Sequence, residues 1–376
     1  MFRSDWTMSM REPYRSNGFV PLNTALLDGQ SGGVVTIAGE TPLLVHKSAV
    51  EPDIIDAIRA SGLAPTCNFR RYQNRAEHLK LMAQLPAGSL VLQHACPVQE
   101  IPPRQYWFNR DRLIELNDKA NLAEHVGLEN SPQRRLLQIE EAVAKIKNFP
   151  VAVKASSDVS LGAAEGVRLC HTYDAFRKAL CDFASCERIV VEQWLNFDIS
   201  YCLSFAVTEN SQIHYLGAAE QIVAPGGQHQ GNWLGSSVQA SSHLIDVGRR
   251  AAASAARCGY VGFIGVDVCE AEPYGGVAFD LNCRLNYSTI PLLLQARGSV
   301  PDFPVILSKG LRMPPYATQT KAWKRFKDML GEYVFVYAGY IGEQTFVRAL
   351  ICGPSRTKVA EQDAALEQLI AEIWKQ

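Results

Sequence analysis

Two short stretches decide the fold: G-V-D-V at residues 265–268 and F-D-L-N-C-R at residues 279–284, joined through Pro273, Gly275 and Gly276. Apolar, β-branched flanks around a Pro/Gly turn read as a β-hairpin. Strand alternation then sets Asp280, Asn282 and Arg284 on one face and Leu281 and Cys283 on the other, with Asp267 on the partner strand. Two carboxylates and an amide oxygen are hard ligands that suit Mg²⁺ held against substrate phosphates, and an adjacent arginine would face the anion. Taken alone, the same residues also fit an exposed strand face with an ordinary ion pair between Arg284 and Asp280.

Three further pieces lie outward from the hairpin. Lys154 ends V-A-V-K and precedes the small-residue loop S-D-V-S-L-G-A-A-E (157–165). An ammonium beside loop N–H groups suits a polyphosphate, although a lysine there is also an ordinary solvated strand end. V-V-E-Q-W-L (190–195) ends a strand whose free backbone groups could read an adenine edge, with N-F-D placing Asp198 beyond; its plain reading is a strand end. The segment 221–233, with Gln228, His229, Asn232 and Trp233, reads either as a substrate-facing loop or as a surface hairpin connection.

The 376 residues are enough for two or three packed units. Lys+Arg of 37 against Asp+Glu of 38 gives a net charge of −1, which excludes a global field that gathers nucleic acid or an anionic membrane. No apolar run reaches bilayer length, and the first residues carry arginines but no apolar core of a signal peptide. The ten cysteines are dispersed with no C-x-x-C, so they read as reduced, buried small hydrophobes of a cytoplasmic protein. Neither a phosphate-binding G-x-x-x-x-G-K-[ST] nor a G-x-G-x-x-G is present, and the histidines lack zinc spacing.

Along the chain, residues 1–23 read as a poorly ordered tail. An alternating α/β layer follows, with residues 32–45 strand-like and E-P-D-I-I-D-A-I-R-A-S-G (51–62) helical. R-R-L-L-Q-I-E-E-A-V-A-K-I-K-N (134–148) reads as a helix. Two strands then flank the 157–165 loop like a lid. Residues 332–353 read as a strand pair and 357–376 as a terminal helix.

Lys119 in L-N-D-K, Lys154 before its small-residue loop, V-E-Q-W-L, G-V-D-V and F-D-L-N-C-R closely resemble, in order and spacing, the ATP-grasp superfamily over about residues 104–300. The resemblance implies an α/β (α+β) ATP-grasp fold. A pre-ATP-grasp domain would span 24–113, a lid subdomain 114–191 and a metal-binding subdomain 192–376, with ATP sandwiched between the last two. It implies that Lys119 and Lys154 contact ATP phosphates under a loop containing Ser160 and Gly162. Glu192, Gln193 and Leu195 would form the adenine hinge, and Asp198 would take the ribose. Asp267, Asp280 and Asn282 would hold Mg²⁺, or Mn²⁺ in its place, and Arg284 would stabilise the acyl-phosphate and tetrahedral intermediate. Asp280 stands where glutamate is commoner in the family, and the loop is poorer in glycine. The implied activity is ATP-dependent joining of a small-molecule carboxylate to an amine, on amino-acid or peptide-like substrates. The alternatives are a carrier-protein thiol as acceptor, an ATP-grasp kinase, and a catalytically silent ATP-binding protein. A homodimer is the assembly considered; neither nucleic acid nor membrane is expected as a partner.

Overall fold

Three sheets organise the computed structural model, which describes residues 3–10, 24–156, 166–224 and 227–375. The first is parallel, in the order β3-β2-β1-β4, from β1 (Thr7–Ser9), β2 (Leu43–His46), β3 (Phe69–Tyr72) and β4 (Leu90–Leu92). Helices α1 (Thr24–Gln30), α2 (Pro52–Ala60) and α3 (Arg75–Ala83) connect its strands. Pro52 starts α2 at a position that needs no N–H, and Asn74 caps α3 by accepting from the Glu77 amide. Two expectations fail in this unit. The supposed tail contributes β1, a buried strand in the middle of the sheet. The strand expected over residues 32–45 is confined to Leu43–His46, because Gly32–Ala38 turns on itself through bonds such as Val35 N–H to Gly32 O and Ile37 N–H to Val34 O.

The second sheet is antiparallel, in the order β5-β8-β6-β7, from β5 (Arg134–Gln138), β6 (Val151–Ser156), β7 (Val167–Cys170) and β8 (Arg188–Gln193). It packs on α6 (Ile139–Lys145) and α7 (Tyr173–Asp182) through Phe176, Phe183, Val153 and Ile189, all fully buried. Residues 134–138 are a strand, not the start of a helix. Only Leu137 of the five is buried, so the segment has no helical stripe to bury and instead pairs along β8.

The third sheet has eight strands, in the order β13-β12-β9-β10-β11-β14-β16-β15. They are β9 (Ser200–Val207), β10 (Ile213–Val223), β11 (His229–Leu234), β12 (Gly262–Ala271), β13 (Gly275–Asn282), β14 (Val305–Met313), β15 (Val334–Ile341) and β16 (Thr345–Gly353). Between them come α8 (Ser242–Arg257), α9 (Thr289–Ala296) and α10 (Lys321–Asp328), and α11 (Arg356–Lys375) follows the sheet. Ser241 caps α8, whose Ala251, Ala252 and Ala255 are fully buried and let the helix lie close on Phe205 and Val266.

Domain limits differ from those expected in two ways. Helices α4 (Arg110–Asn117) and α5 (Leu122–Val126) bury Leu113, Leu116, Leu122 and Val126 in the core of the eight-stranded sheet, so they are not part of the lid. Glu192 and Gln193 close β8 and therefore belong to the lid sheet. At the other end, β15, β16, α10 and α11 share one core with β1, α2 and the 34–38 turn. The chain's two ends are thus packed together.

Candidate active site

The expected hairpin forms, and Asp267 lies directly opposite Asp280. The ladder shifts register between that pair and Val268–Ala278, leaving Phe279 as the extra residue of a β-bulge. Asn282 Nδ2 donates to Asp280 Oδ2 at 3.3 Å, which keeps both on the expected face. β13 ends at Asn282, and the chain turns there, with the Arg284 amide bonded to Asn282 O. Arg284 is held by α4: Asn117 Oδ1 accepts from the Cys283 amide at 3.0 Å and from Arg284 Nη1 at 3.2 Å. Asn117 was not among the residues singled out from sequence.

Asn117 is the last residue of α4, and Asp118 then breaks the helix and caps the following turn by accepting from the Ala120 amide. This break presents Lys119, whose ammonium bonds Asp280 Oδ1. Lys154, on β6, bonds the Phe279 carbonyl and pairs with Glu192 Oε2 at 2.7 Å. Glu192 Oε1 is held by Arg134 Nη2, and Arg134 Nη1 donates to the Lys119 carbonyl at 2.8 Å. Arg134, a second residue missed from sequence, thus ties the lid sheet to the turn that carries Lys119. An ammonium has three donors, so both lysines keep donors for a phosphate.

Two of the residues expected at the hinge, Glu192 and Gln193, close β8, and Leu195 lies just beyond it. The Glu192 carboxylate is 2% exposed and its two oxygens are taken by Arg134 and Lys154, so its side chain serves as their counter-ion. The Gln193 amide is bonded to Gln133 O and its side-chain oxygen accepts from Tyr274, so its N–H is not free. Beyond them Leu195 packs beside Cys269, Ala271 and Val277, and Phe197 stacks on Phe279 at 5.7 Å. This leaves an apolar, aromatic surface where the two sheets meet. Asp198 is exposed and, among the described residues, makes no hydrogen bond with the other candidates. Ser160 and Gly162 lie outside the described residues.

Charge is tightly matched at the site. Burial pushes the Asp267 carboxyl up to about 6, helped by Asp280, while Cys202 and Gln221 hydrogen-bond it and oppose the rise. Burial would raise Asp280 too, but Lys119 and Lys154 outweigh it and hold that carboxyl below its usual range. Burial pulls the Lys119 ammonium down, against the pull of Asp280. Asn282 is 6% exposed, and among the described residues its Oδ1 has no hydrogen-bond donor. A buried acceptor with no donor, next to two carboxylates, is a donor set that fits a hard divalent cation.

Two family models match the chain. The ATP-grasp domain of L-aspartate–L-methionine ligase matches residues 132–282, and the N-terminal domain of the same ligase matches residues 1–114. The chain belongs to the ATP-grasp ligases. As an ATP-grasp ligase it joins a carboxylate to an amine with consumption of ATP. Solved structures share its fold at low identity. An N5-carboxyaminoimidazole ribonucleotide synthetase bound to ADP superposes with a TM-score of 0.64 at 13% identity, covering 99% of this chain and 98% of that one. A second, from Aspergillus clavatus with ATP, gives 0.62 at 11% identity over 99% and 100% of the two chains. Biotin carboxylase from Campylobacter jejuni gives 0.50 at 11% identity over 80% and 74%. Among the described residues of the ATP-grasp ligase, no helix is long and apolar enough to cross a membrane.

Proposed function

We propose that this ligase condenses two amino acids, with L-aspartate supplying the carboxylate and L-methionine the amine, in a reaction that converts ATP to ADP and phosphate. The description shared by both family models supports the substrate pair. The observation that carries the chemistry is the convergence, at the end of β13, of Asp267, Asp280 and the donor-free Asn282 oxygen with Lys119, Lys154 and Arg284.

Asp267, Asp280 and Asn282 would hold Mg²⁺. Bound there, the cation neutralises phosphate oxygens of ATP and favours transfer of its γ-phosphoryl group. Lys119 and Lys154 take phosphate oxygens with their remaining donors. Leu195 and Phe279 flank the base, and Asp198 takes the ribose. The donor carboxylate attacks the γ-phosphorus and ADP leaves, giving an acyl-phosphate. The acceptor amine then attacks the carbonyl carbon, inorganic phosphate leaves, and the ammonium proton passes to solvent. Arg284, fixed by Asn117, neutralises the charge that develops in both steps. No side-chain nucleophile is needed, in keeping with cysteines that are all free and mostly buried. Those free thiols also suit a reducing cytoplasm.

The test is ADP release by the purified chain with mass analysis of products. The reading requires L-aspartate and L-methionine together and a dipeptide product. A stable phosphorylated compound formed from one substrate would establish a kinase, and a thioester on an added carrier protein would establish a thiol acceptor. Bound ATP with no ADP from any substrate pool would establish a silent protein.

A further inference from the structure

Asp267 is gripped from its own sheet as well as faced by Asp280. Two chains of hydrogen bonds reach its carboxylate across one face of the eight-stranded sheet. Cys202 stands directly opposite it on β9 and bonds it through the thiol. Gln221 bonds it from β10, two strands away. Ala219 pairs with Cys202, and Gln221, two residues on, shares its face. Strands lie ~4.8 Å apart, so Gln221 reaches across roughly 10 Å of sheet, for which the length of glutamine is needed.

Both chains are directional. Ser200, 4% exposed, donates its hydroxyl to Gln221 Oε1 at 2.9 Å. With the amide oxygen taken, the amide nitrogen is the end turned to Asp267, and it can only donate. On the other side Asn286 Nδ2 donates to Cys202 Sγ at 3.8 Å and Ser288 also donates to that thiol, which leaves the single S–H for Asp267.

A carboxylate accepts at about four lone-pair positions. Gln221 and Cys202 occupy two of them, and Asp280 stands opposite on β13. The remaining positions are left for the cation that Asp267 and Asp280 would share. An amide and a thiol are uncharged donors, so they orient the carboxylate without cancelling the negative charge that draws a divalent cation. Asp280 differs in this respect, since its partner is the Lys119 ammonium.

We propose that Gln221, set by Ser200, is a positioning residue of the metal site: its amide N–H fixes Asp267 in the orientation that receives Mg²⁺ with ATP. This rests on the reading that Asp267 holds the cation and is independent of which acid and amine are joined.

Calorimetry of ATP binding in Mg²⁺ and in EDTA separates the contribution of the cation from that of the lysines. Gln221→Met keeps the length of the side chain and removes the donor. It should weaken binding in Mg²⁺ by roughly 10- to 100-fold, the range for losing an outer partner of a metal ligand, and leave binding in EDTA within about twofold. Ser200→Ala should lose roughly 2- to 10-fold in Mg²⁺ alone, and Ser200→Thr, which keeps the hydroxyl, should recover it. In an Asp267→Asn background Gln221→Met should change nothing further, a result that a merely structural role would not produce. Wild-type affinity of Gln221→Met in Mg²⁺, an equal loss in EDTA, or Ser200→Thr as impaired as Ser200→Ala would each overturn the proposal. If Asp267→Asn loses the effect of Mg²⁺ while Gln221→Met keeps it, the metal site stands and only the role of Gln221 falls. If Asp267→Asn itself binds MgATP as wild type does, the assignment of the cation to Asp267 falls and the role of Gln221 with it. Unaltered binding of ATP in EDTA shows that a variant is folded.

Discussion

Asn117 offers the sharpest test of how the site is held. Its amide oxygen accepts both the Cys283 amide and the Arg284 guanidinium, and its amide nitrogen bonds Leu113 O. In Asn117→Leu, a change of similar size, Arg284 loses one charge-assisted bond of about 1.5–3 kcal/mol. At 1.36 kcal/mol per factor of ten, that is roughly a 10- to 150-fold loss in kcat/KM. Arg284 acts on developing charge, so the loss should fall on kcat, with KM for ATP within about twofold. The orphaned Cys283 amide adds a separate destabilisation of about 1–3 kcal/mol. Asn117→Asp keeps an oxygen for both donors and should recover most of kcat, which a purely structural role would not distinguish. The assay is steady-state ADP release under saturating substrates, beside urea unfolding of each variant. If Asn117→Leu keeps wild-type kcat, or if Asn117→Asp is as impaired as Asn117→Leu, then Asn117 does not position Arg284.

Three further outcomes follow from the same geometry. Lys154→Ala should weaken ATP binding by roughly 10- to 100-fold in calorimetry, since it removes an ammonium from a buried site; unchanged affinity would remove Lys154 from the phosphate contacts. Arg134→Met strips the Glu192 carboxylate of one partner and the Lys119 carbonyl of its donor. Hydrogen exchange should show faster opening of β5 and β8 by about 2–4 kcal/mol, and a double-mutant cycle with Glu192→Gln should show coupling above about 1 kcal/mol. His78 is fully buried, with Nε2 3.4 Å from Ser9 Oγ and, among the described residues, no partner for Nδ1, and burial pulls it down to about 4 from its ordinary 6.5. A depressed histidine contributes stability that is complete above pH 6.5 and is lost as pH falls toward 4, roughly 3 kcal/mol in all. Stability of His78→Leu measured across that window should be flatter than wild type, and parallel curves would rule out His78 as the source.

The hairpin was readable because its information is local. Alternation, a Pro/Gly turn and the spacing of Asp267, Asp280, Asn282 and Arg284 all lie within 18 consecutive residues, and the structure pairs Asp267 with Asp280 as alternation requires. The lid strands, the final strand pair and the terminal helix were readable for the same reason. Less legible was β1, where T-M-S carries no more pattern than its neighbours and is a strand only because β2 and β4 lie on either side. Similarly R-R-L-L-Q, helical by composition, is extended because β8 supplies its hydrogen bonds.

The amino-acid sequence by itself determined the chemical inventory of the site: two carboxylates, an amide, an arginine and two lysines in an order that excludes nucleophilic and zinc chemistry. Tertiary structure alone decided how these groups are paired. Glu192 became a counter-ion because Arg134, 58 positions away, reaches it across the lid sheet, and Arg284 is fixed by Asn117 across 167 positions. No local pattern carries such pairings, because burial makes a charge seek whichever partner the fold brings within reach.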